Sequence, residues 1–433
     1  MDSQHASLDG FDPSYDVVVI GGGPAGSTAA TLIADAGHKT LLVERDTFPR
    51  FKIGESLIPE TVGVLRRLGM VEKLGTSEYP QKYSVQFYSG SGKASDPFYF
   101  SETGEGEGQT WQVLRSTFDN LMFENAREHG VDARQGTGVR KVLFEGEKAV
   151  GVRLRDSDGG HHDVRSRVVI DATGQRALLS RQLKMRATDP NLKKAAIFAH
   201  FKGAQRDEGI DEGATLILQT ADRKGWFWFI PLPNDVVSIG VVGDMDHLVK
   251  GRKGSPQAIF EEELAQCPGL VPRLEEAEQL MAAQVLNEFS YMSQQGAGDG
   301  WVLAGDAFGF LDPMYSTGVL LALRSAEMAA DTVIEALAED NTSEERLSRF
   351  EPRLLAGMSA FRKLVYAFYQ NDFSFGKFLH KHPEHRLSIV RILVGDVFDR
   401  DFSTLYRDLT DMVDLPSEGL QAVREGAASG VAA

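Results

Sequence analysis

Cysteine is almost missing from this chain: Cys267 is the single one in 433 residues. One thiol excludes an intramolecular disulfide and a thiolate metal cluster, and Cys267 reads as a small buried apolar residue. No apolar run reaches the ~18 residues that a membrane span requires. The opening stretch, MDSQHASLDGFDPS, has neither a basic segment nor an apolar core, so no export signal is expected and the expected location is cytoplasmic. Basic residues are also short. Forty-six Lys and Arg face 62 Asp and Glu, a net charge of −16, which argues against nucleic acid or an anionic membrane as partner. No internal repeat is evident, and no metal is expected, because the histidines lack a recognisable carboxylate partner pattern.

What is present begins with a βαβ pattern, YDVVVIGGGPAGSTAATLIADAGHKTLLVER, from Tyr15 to Arg45. Asp16 to Ile20 is a β-branched run suited to a strand buried on both faces of a parallel sheet. It breaks into Gly21-Gly22-Gly23-Pro24-Ala25-Gly26 and an Ala-rich helical stretch, after which Lys39 to Val43 reads as a second strand closing on Glu44. Gly21 permits the tight turn, Gly23 lets backbone reach a pyrophosphate, and Gly26 lets helix and strand approach closely. The diphosphate then sits on free N–H groups at the helix's positive end. Glu44, slightly under the usual ~20 residues beyond the glycines, accepts from both ribose hydroxyls. That acid disfavours a 2′-phosphate, which leaves FAD or NAD.

Further along, Phe48 to Pro59 breaks any period and crowds Arg50, Lys52, Glu55 and Ser56 beside the cofactor fold, as a flavin-edge loop does. Trp111 to Leu114 reads as a strand, followed by Arg115 and a helix from Ser116 to His129. Ser116 is the expected N-cap with Asp119 three residues on, and Arg115 is placed to reach cofactor phosphate or ribose. Three strand-like runs between Val139 and Ile170 read as a meander ending in Asp171-Ala172-Thr173-Gly174, where small residues admit a cofactor. A second antiparallel region spans Ala195 to Val242. Gly300 to Ala307 is another strand, carrying Gly305 and Asp306, and Pro313 to Gly318 opens a long helix through Leu337. Asp306 suits a ribityl hydroxyl, and the N–H groups near Ser316 to Gly318 suit the anionic side of a flavin or a halide.

Together these residues resemble a family. GGGPAG, Glu44-Arg45, Arg115 in VLRSTFD and Gly305-Asp306 are similar to the aromatic-hydroxylase class of FAD monooxygenases. Within it, PRFKIGESLIP, LAGDAFGFLDPMYSTGVLLA and YAFYQNDFSF resemble the flavin-dependent halogenases that act on phenols and pyrroles. The most specific match is Trp226-Phe227-Trp228-Phe229-Ile230-Pro231, similar to their W-x-W-x-I-P signature. The resemblance implies an α/β fold: a Rossmann-like FAD-binding domain of glutathione-reductase type, an inserted antiparallel-sheet substrate domain and a helical C-terminal part. It also implies cofactor contacts at Val139, halide at Thr317 and Gly318, and a tunnel lined by Trp226, Trp228, Ile230 and Pro231. Lys82, in QKYSVQF, resembles the lysine that lies across such a tunnel and takes hypohalous acid made from reduced FAD, dioxygen and chloride or bromide. A strongly hydrated ammonium seldom enters an apolar site without a task.

The expected domains are 15–80 with 108–182 and 283–337 for FAD, 81–107 with 183–282 for substrate, and 338–415 helical, with flexible tails at 1–14 and 416–433. Tryptophan halogenases carry a glutamate where this chain has Tyr315, so a phenol or pyrrole is expected rather than an indole. Some relatives take carrier-tethered substrates, and Lys377, His380, Lys381, His382, His385 and Arg386 form a basic patch that suits an acidic carrier. No second dinucleotide fingerprint is seen, so a separate flavin reductase is the expected source of reduced FAD. Three alternatives share the cofactor motifs: an aromatic hydroxylase, a flavin reductase similar to the geranylgeranyl reductases, and an FAD-binding protein without turnover.

Overall fold

A computed structural model describes residues 11–155, 159–370, 373–416, 420 and 424. Residues 1–10 of the expected tail at 1–14, most of that after 416, and Asn371-Asp372 of the YAFYQNDFSF motif lie outside the described residues. The first sheet is built around β1 (Ser14–Ile20), whose valines are fully buried. It is followed by α1 (Pro24–Asp35) and β2 (Thr40–Val43), as the sequence pattern requires. In the sheet, β1 pairs in parallel with β2 and with strand His161–Asp171. Trp301–Leu303 follows on one side, with Ala297–Gly298 antiparallel at its outer edge, and Asp132–Arg134 closes the other. The meander strands Gly138–Glu145 and Lys148–Arg155 attach antiparallel to His161–Asp171. The parallel strands therefore end together, with Ile20, Val43, Asp171 and Leu303 at one edge of the sheet. Ligands of open α/β sheets bind at that carboxyl edge.

The second sheet is mostly antiparallel and runs Gly309–Phe310, Gln284–Ser293, Arg186–Lys202, Val236–Asp244, Gly225–Leu232, Thr215–Gln219, Ser84–Tyr88, Phe98–Tyr99. Its central strand Gly225–Leu232 is buried throughout. Side chains alternate across a strand, and the two faces lead to different cores. Trp226, Trp228 and Ile230 join the large core shared with the first sheet. Phe227 and Phe229 join a second core with Phe260 and Leu218.

A two-stranded ribbon, Gln81–Lys82 with Thr110–Trp111, connects the layers. The C-terminal part is helical, with Thr317–Ala338 the longest helix, packing on α1. Aromatic side chains of this part pack in the interior: Phe361 and Phe378 are fully buried. Composition alone reads the end of the chain as a loose tail, yet Leu420 and Arg424 are buried. Arg424 donates to the Ser293 carbonyl and pairs with Glu351 at 2.7 Å. Among the described residues no helix is long and apolar enough to cross a membrane.

Candidate active site

One long cavity follows the carboxyl edge of the first sheet and runs under the second. From the first sheet and its loops it is lined by Gly21, Gly23, Pro24, Ala25, Glu44, Arg45, Val139 and Gly174, with Asp306, Pro313 and Gly318 on the same wall. Trp226, Trp228 and Ile230 line it from the second sheet, and Arg50, Ser56 and Arg115 also border it.

The glycine turn fits a dinucleotide for the reasons its spacing suggests. Gly21 has φ +105°, and a Cβ there would lie 2.4 Å from the Ala172 oxygen. A Cβ on Gly26 would stand 1.7 Å from the Gly21 oxygen, so Gly26 sets helix against strand instead of lining the cavity. Gly23 differs: its Cβ would meet nothing nearer than Arg50 Nη2 at 3.4 Å, which leaves room for a phosphate over the free N–H groups of α1. Gly318 opens onto similar empty space at the start of helix Thr317–Ala338. Arg45, Arg50, Lys52 and Arg176 line the same cavity, a cationic wall suited to a diphosphate. Arg176 carries no motif and was legible only from the fold.

Glu44 reaches the cavity from the end of β2, with Oε2 accepting from the Gly22 N–H at 2.9 Å. Arg50 and Arg115 are held by one buried carboxylate, Asp119: Arg50 Nη1 is 3.0 Å and Arg115 Nε 2.8 Å from it. This corrects the expected helix start. The helix begins at Arg115, Ser116 caps nothing, and Asp119 serves the two arginines. Asp171 also differs from expectation. It sits behind the wall, its oxygens taking the N–H groups of Thr173 at 3.0 Å and Leu179 at 2.7 Å. Asp306 stays on the wall, and burial pushes its carboxyl up to about 6 against the pull of Arg115 and Lys52.

Of the four expected tunnel residues, three line the cavity. Pro231 does not, because alternation turns it to the face of Phe227 and Phe229. Gly305 and Thr317 likewise lie behind the surface that Asp306 and Gly318 present. The Trp226 indole N–H donates to Tyr369 Oη at 3.2 Å, and that hydroxyl lies 3.1 Å from Asp312, a further wall residue. Burial raises the Asp312 carboxyl to about 6. This Trp–Tyr–Asp chain joins three distant segments and has no sequence signature.

Lys82 is 2 % exposed. Its Nζ donates to Ser56 Oγ at 2.8 Å and to the Leu57 carbonyl at 3.0 Å, and it lies 5.4 Å from the Phe100 ring centre. Among the described residues no carboxylate pairs with it, and burial lowers its pKa to about 7. Ser56 Oγ in turn meets Thr215 Oγ1 at 2.9 Å, and both residues line the cavity. The amine thus stands one hydroxyl behind the cavity wall.

Of the basic patch, Arg386 pairs with Glu102 at 2.7 Å and Lys381 with Asp411 at 3.9 Å, so part of its charge is already answered. His382, Glu384, His385 and Asp408 bring ligand atoms within 4.8 Å of one another. They close on themselves, His385 on Asp408 at 2.8 Å and His382 on Glu384 at 3.4 Å. Cys267 is buried, and its thiol is pushed up to about 12, consistent with an inert packing role.

Comparison with known proteins agrees with this geometry. The family model described as "FAD binding domain" matches residues 14–359. The chain is 34% identical over 406 residues to the 1H-pyrrole-2-carbonyl-[peptidyl-carrier protein] brominase of Pseudoalteromonas luteoviolacea, covering 93% of this chain and 97% of that one. It is 30% identical over 412 residues to the corresponding chlorinase of Pseudomonas fluorescens, covering 89% and 90%. The solved structure of the flavin-dependent brominase Bmp2 superposes with a TM-score of 0.82 at 31% identity, over 92% of this chain and 98% of that one. Glycine turn, cationic wall, roofing tryptophans and whole-length similarity lead to one assignment: the chain belongs to the flavin-dependent halogenases, a family of FAD-binding oxidoreductases.

Proposed function

We propose that this enzyme converts chloride or bromide into hypohalous acid and uses it to halogenate an electron-rich ring, a pyrrole or a phenol, through Lys82. The oxidising power comes from reduced FAD and dioxygen, with the flavin reduced by a separate reductase in the cytoplasm. Residues 15–80, 108–182 and 283–337 form the FAD-binding part of this reading, 81–107 and 183–282 the substrate side, and 338–415 a helical cover. Gly23 and the N–H groups of α1 hold the diphosphate, Glu44 the ribose, and Arg50 and Arg115 the rest of the cofactor's charge. The N–H groups around Thr317 and Gly318 hold the halide at the positive end of their helix. Trp226 and Trp228 keep the ring off the flavin, which suppresses direct hydroxylation.

The observation that carries the reading is the state of Lys82. A buried amine with no carboxylate partner among the described residues and a pKa of about 7 is neutral in a large fraction of molecules at neutral pH. It can both hydrogen-bond an incoming oxidant and surrender a proton to it. A surface or ion-paired lysine does neither well. The pyrrole-carbonyl carrier-protein relatives favour a thioester-tethered pyrrole as the substrate.

The test supplies reduced FAD, dioxygen, chloride or bromide, and a panel of free phenols, free pyrroles and carrier-tethered pyrrole-2-carboxylate. Products carrying the halogen isotope pattern are expected. A mass gain of one oxygen would instead select a hydroxylase, and a gain of hydrogen a double-bond reductase.

A further inference from the structure

Halogenating a ring releases a proton, and the site needs a group to take it. Of the carboxylates around the cavity, Asp306 is reserved in this reading for a ribityl hydroxyl, and two others are committed. Glu44 holds the Gly22 and Asp46 N–H groups and Arg50, and Asp312 holds Tyr369 and the Met314 N–H. Tyr315 is unsuited as a base, since its hydroxyl donates to the Leu364 carbonyl at 3.1 Å. Glu55 is different. It lines the cavity, is 1 % exposed, and its Oε2 is the one fully buried carboxylate oxygen without a donor among the described residues. Its other oxygen lies 3.0 Å from His200 Nε2, and His200 is partly exposed next to Phe51. Glu55 directly precedes Ser56, the wall residue behind which Lys82 stands.

We propose that Glu55, backed by His200, is the general base that removes the ring proton. The inference rests on the halogenase reading above. In the step, the oxygen–halogen bond of hypohalous acid breaks and a carbon–halogen bond forms, the ring being oxidised and the halogen reduced by two electrons. The departing hydroxide takes a proton from the Lys82 ammonium and leaves as water. The C–H bond then breaks, its electron pair restores aromaticity, and its proton passes to Glu55 Oε2. The carboxyl then turns to bring that proton into the 3.0 Å contact with His200, which passes it to solvent, while Lys82 recovers one from water.

The test uses the full chain with FAD and a ring-deuterated pyrrole or phenol that the wild-type enzyme turns over. Glu55→Gln is expected to slow product formation about 10²–10⁴-fold while leaving FAD affinity, read by flavin fluorescence, unchanged. A primary deuterium isotope effect should emerge in this variant where the wild type shows a value near unity. His200→Asn should show the same isotope effect with a smaller loss of rate. Undiminished product from Glu55→Gln, or a loss accompanied by weakened FAD binding and no isotope effect, would overturn the assignment. Wild-type enzyme that makes no halogenated product would instead remove the halogenase reading, and this inference with it.

Discussion

Replacing Lys82 by methionine separates the amine's chemistry from its cost to the fold. Methionine is unbranched and fills the same apolar volume. Burial lowers the lysine from 10.5 to about 7, and at about 1.4 kcal/mol per pKa unit the folded state carries a penalty of roughly 5 kcal/mol. The substitution also removes two hydrogen bonds, to Ser56 and to Leu57, and leaves a carbonyl short of a donor, a loss of roughly 2–4 kcal/mol. Lys82→Met should therefore be more stable than wild type by about 1–3 kcal/mol near neutral pH while making no halogenated product. The sign with pH follows from linkage. The folded pKa lies below the unfolded one, so the penalty is complete below about 7 and disappears as pH rises through 10.5. Urea unfolding of flavin-free protein across that window should show the wild type gaining on the variant by up to about 1.4 kcal/mol per pH unit. A gap that stays constant with pH, or a variant less stable than wild type at neutral pH, would refute the picture of an unpaired buried amine.

Four further variants have expected outcomes. Gly23→Ala should fold normally by circular dichroism yet lose FAD in a fluorescence titration, whereas Gly26→Ala should fail to fold, its Cβ meeting the Gly21 oxygen at 1.7 Å. Asp119→Ala strands two buried guanidinium groups, so thermal or urea unfolding should show a loss of about 3–5 kcal/mol together with weaker FAD binding. Asp306→Asn should stabilise the flavin-free protein near neutral pH by roughly 3 kcal/mol, because burial raises the carboxyl from 3.8 to about 6. That gain should shrink as pH falls through 6 toward 3.8, where wild-type Asp306 protonates in the folded state.

Local patterns made the first βαβ unit readable, because a both-sides-buried strand, a glycine turn and a closing acid are all specified within thirty residues. The W-x-W-x-I run was readable too, although alternation alone would have separated Ile230 from Pro231 and kept the latter out of the tunnel. Long-range assembly was not readable. Asp119 sits where a capping residue is expected, and only its approach to Arg50, 69 residues away, reveals its function. Asp171 ends its strand as a cofactor ligand would, yet the backbone turn that follows takes both its oxygens. The contact of Lys82 with Ser56 spans 26 positions, and family resemblance alone pointed to it. Glu55 stood in plain sight in the flavin-edge loop, but its partner His200 lies 145 residues on.

The end of the chain has a practical bearing. Glu351 accepts from the Gly296 N–H at 3.0 Å and from Arg424 at 2.7 Å, and the Gly296 carbonyl takes the Leu303 N–H of the strand that delivers Asp306. A cut upstream of Arg424 would leave a buried acid half-answered and loosen the support beneath the flavin edge. Affinity handles placed there should be judged by flavin retention, not by yield.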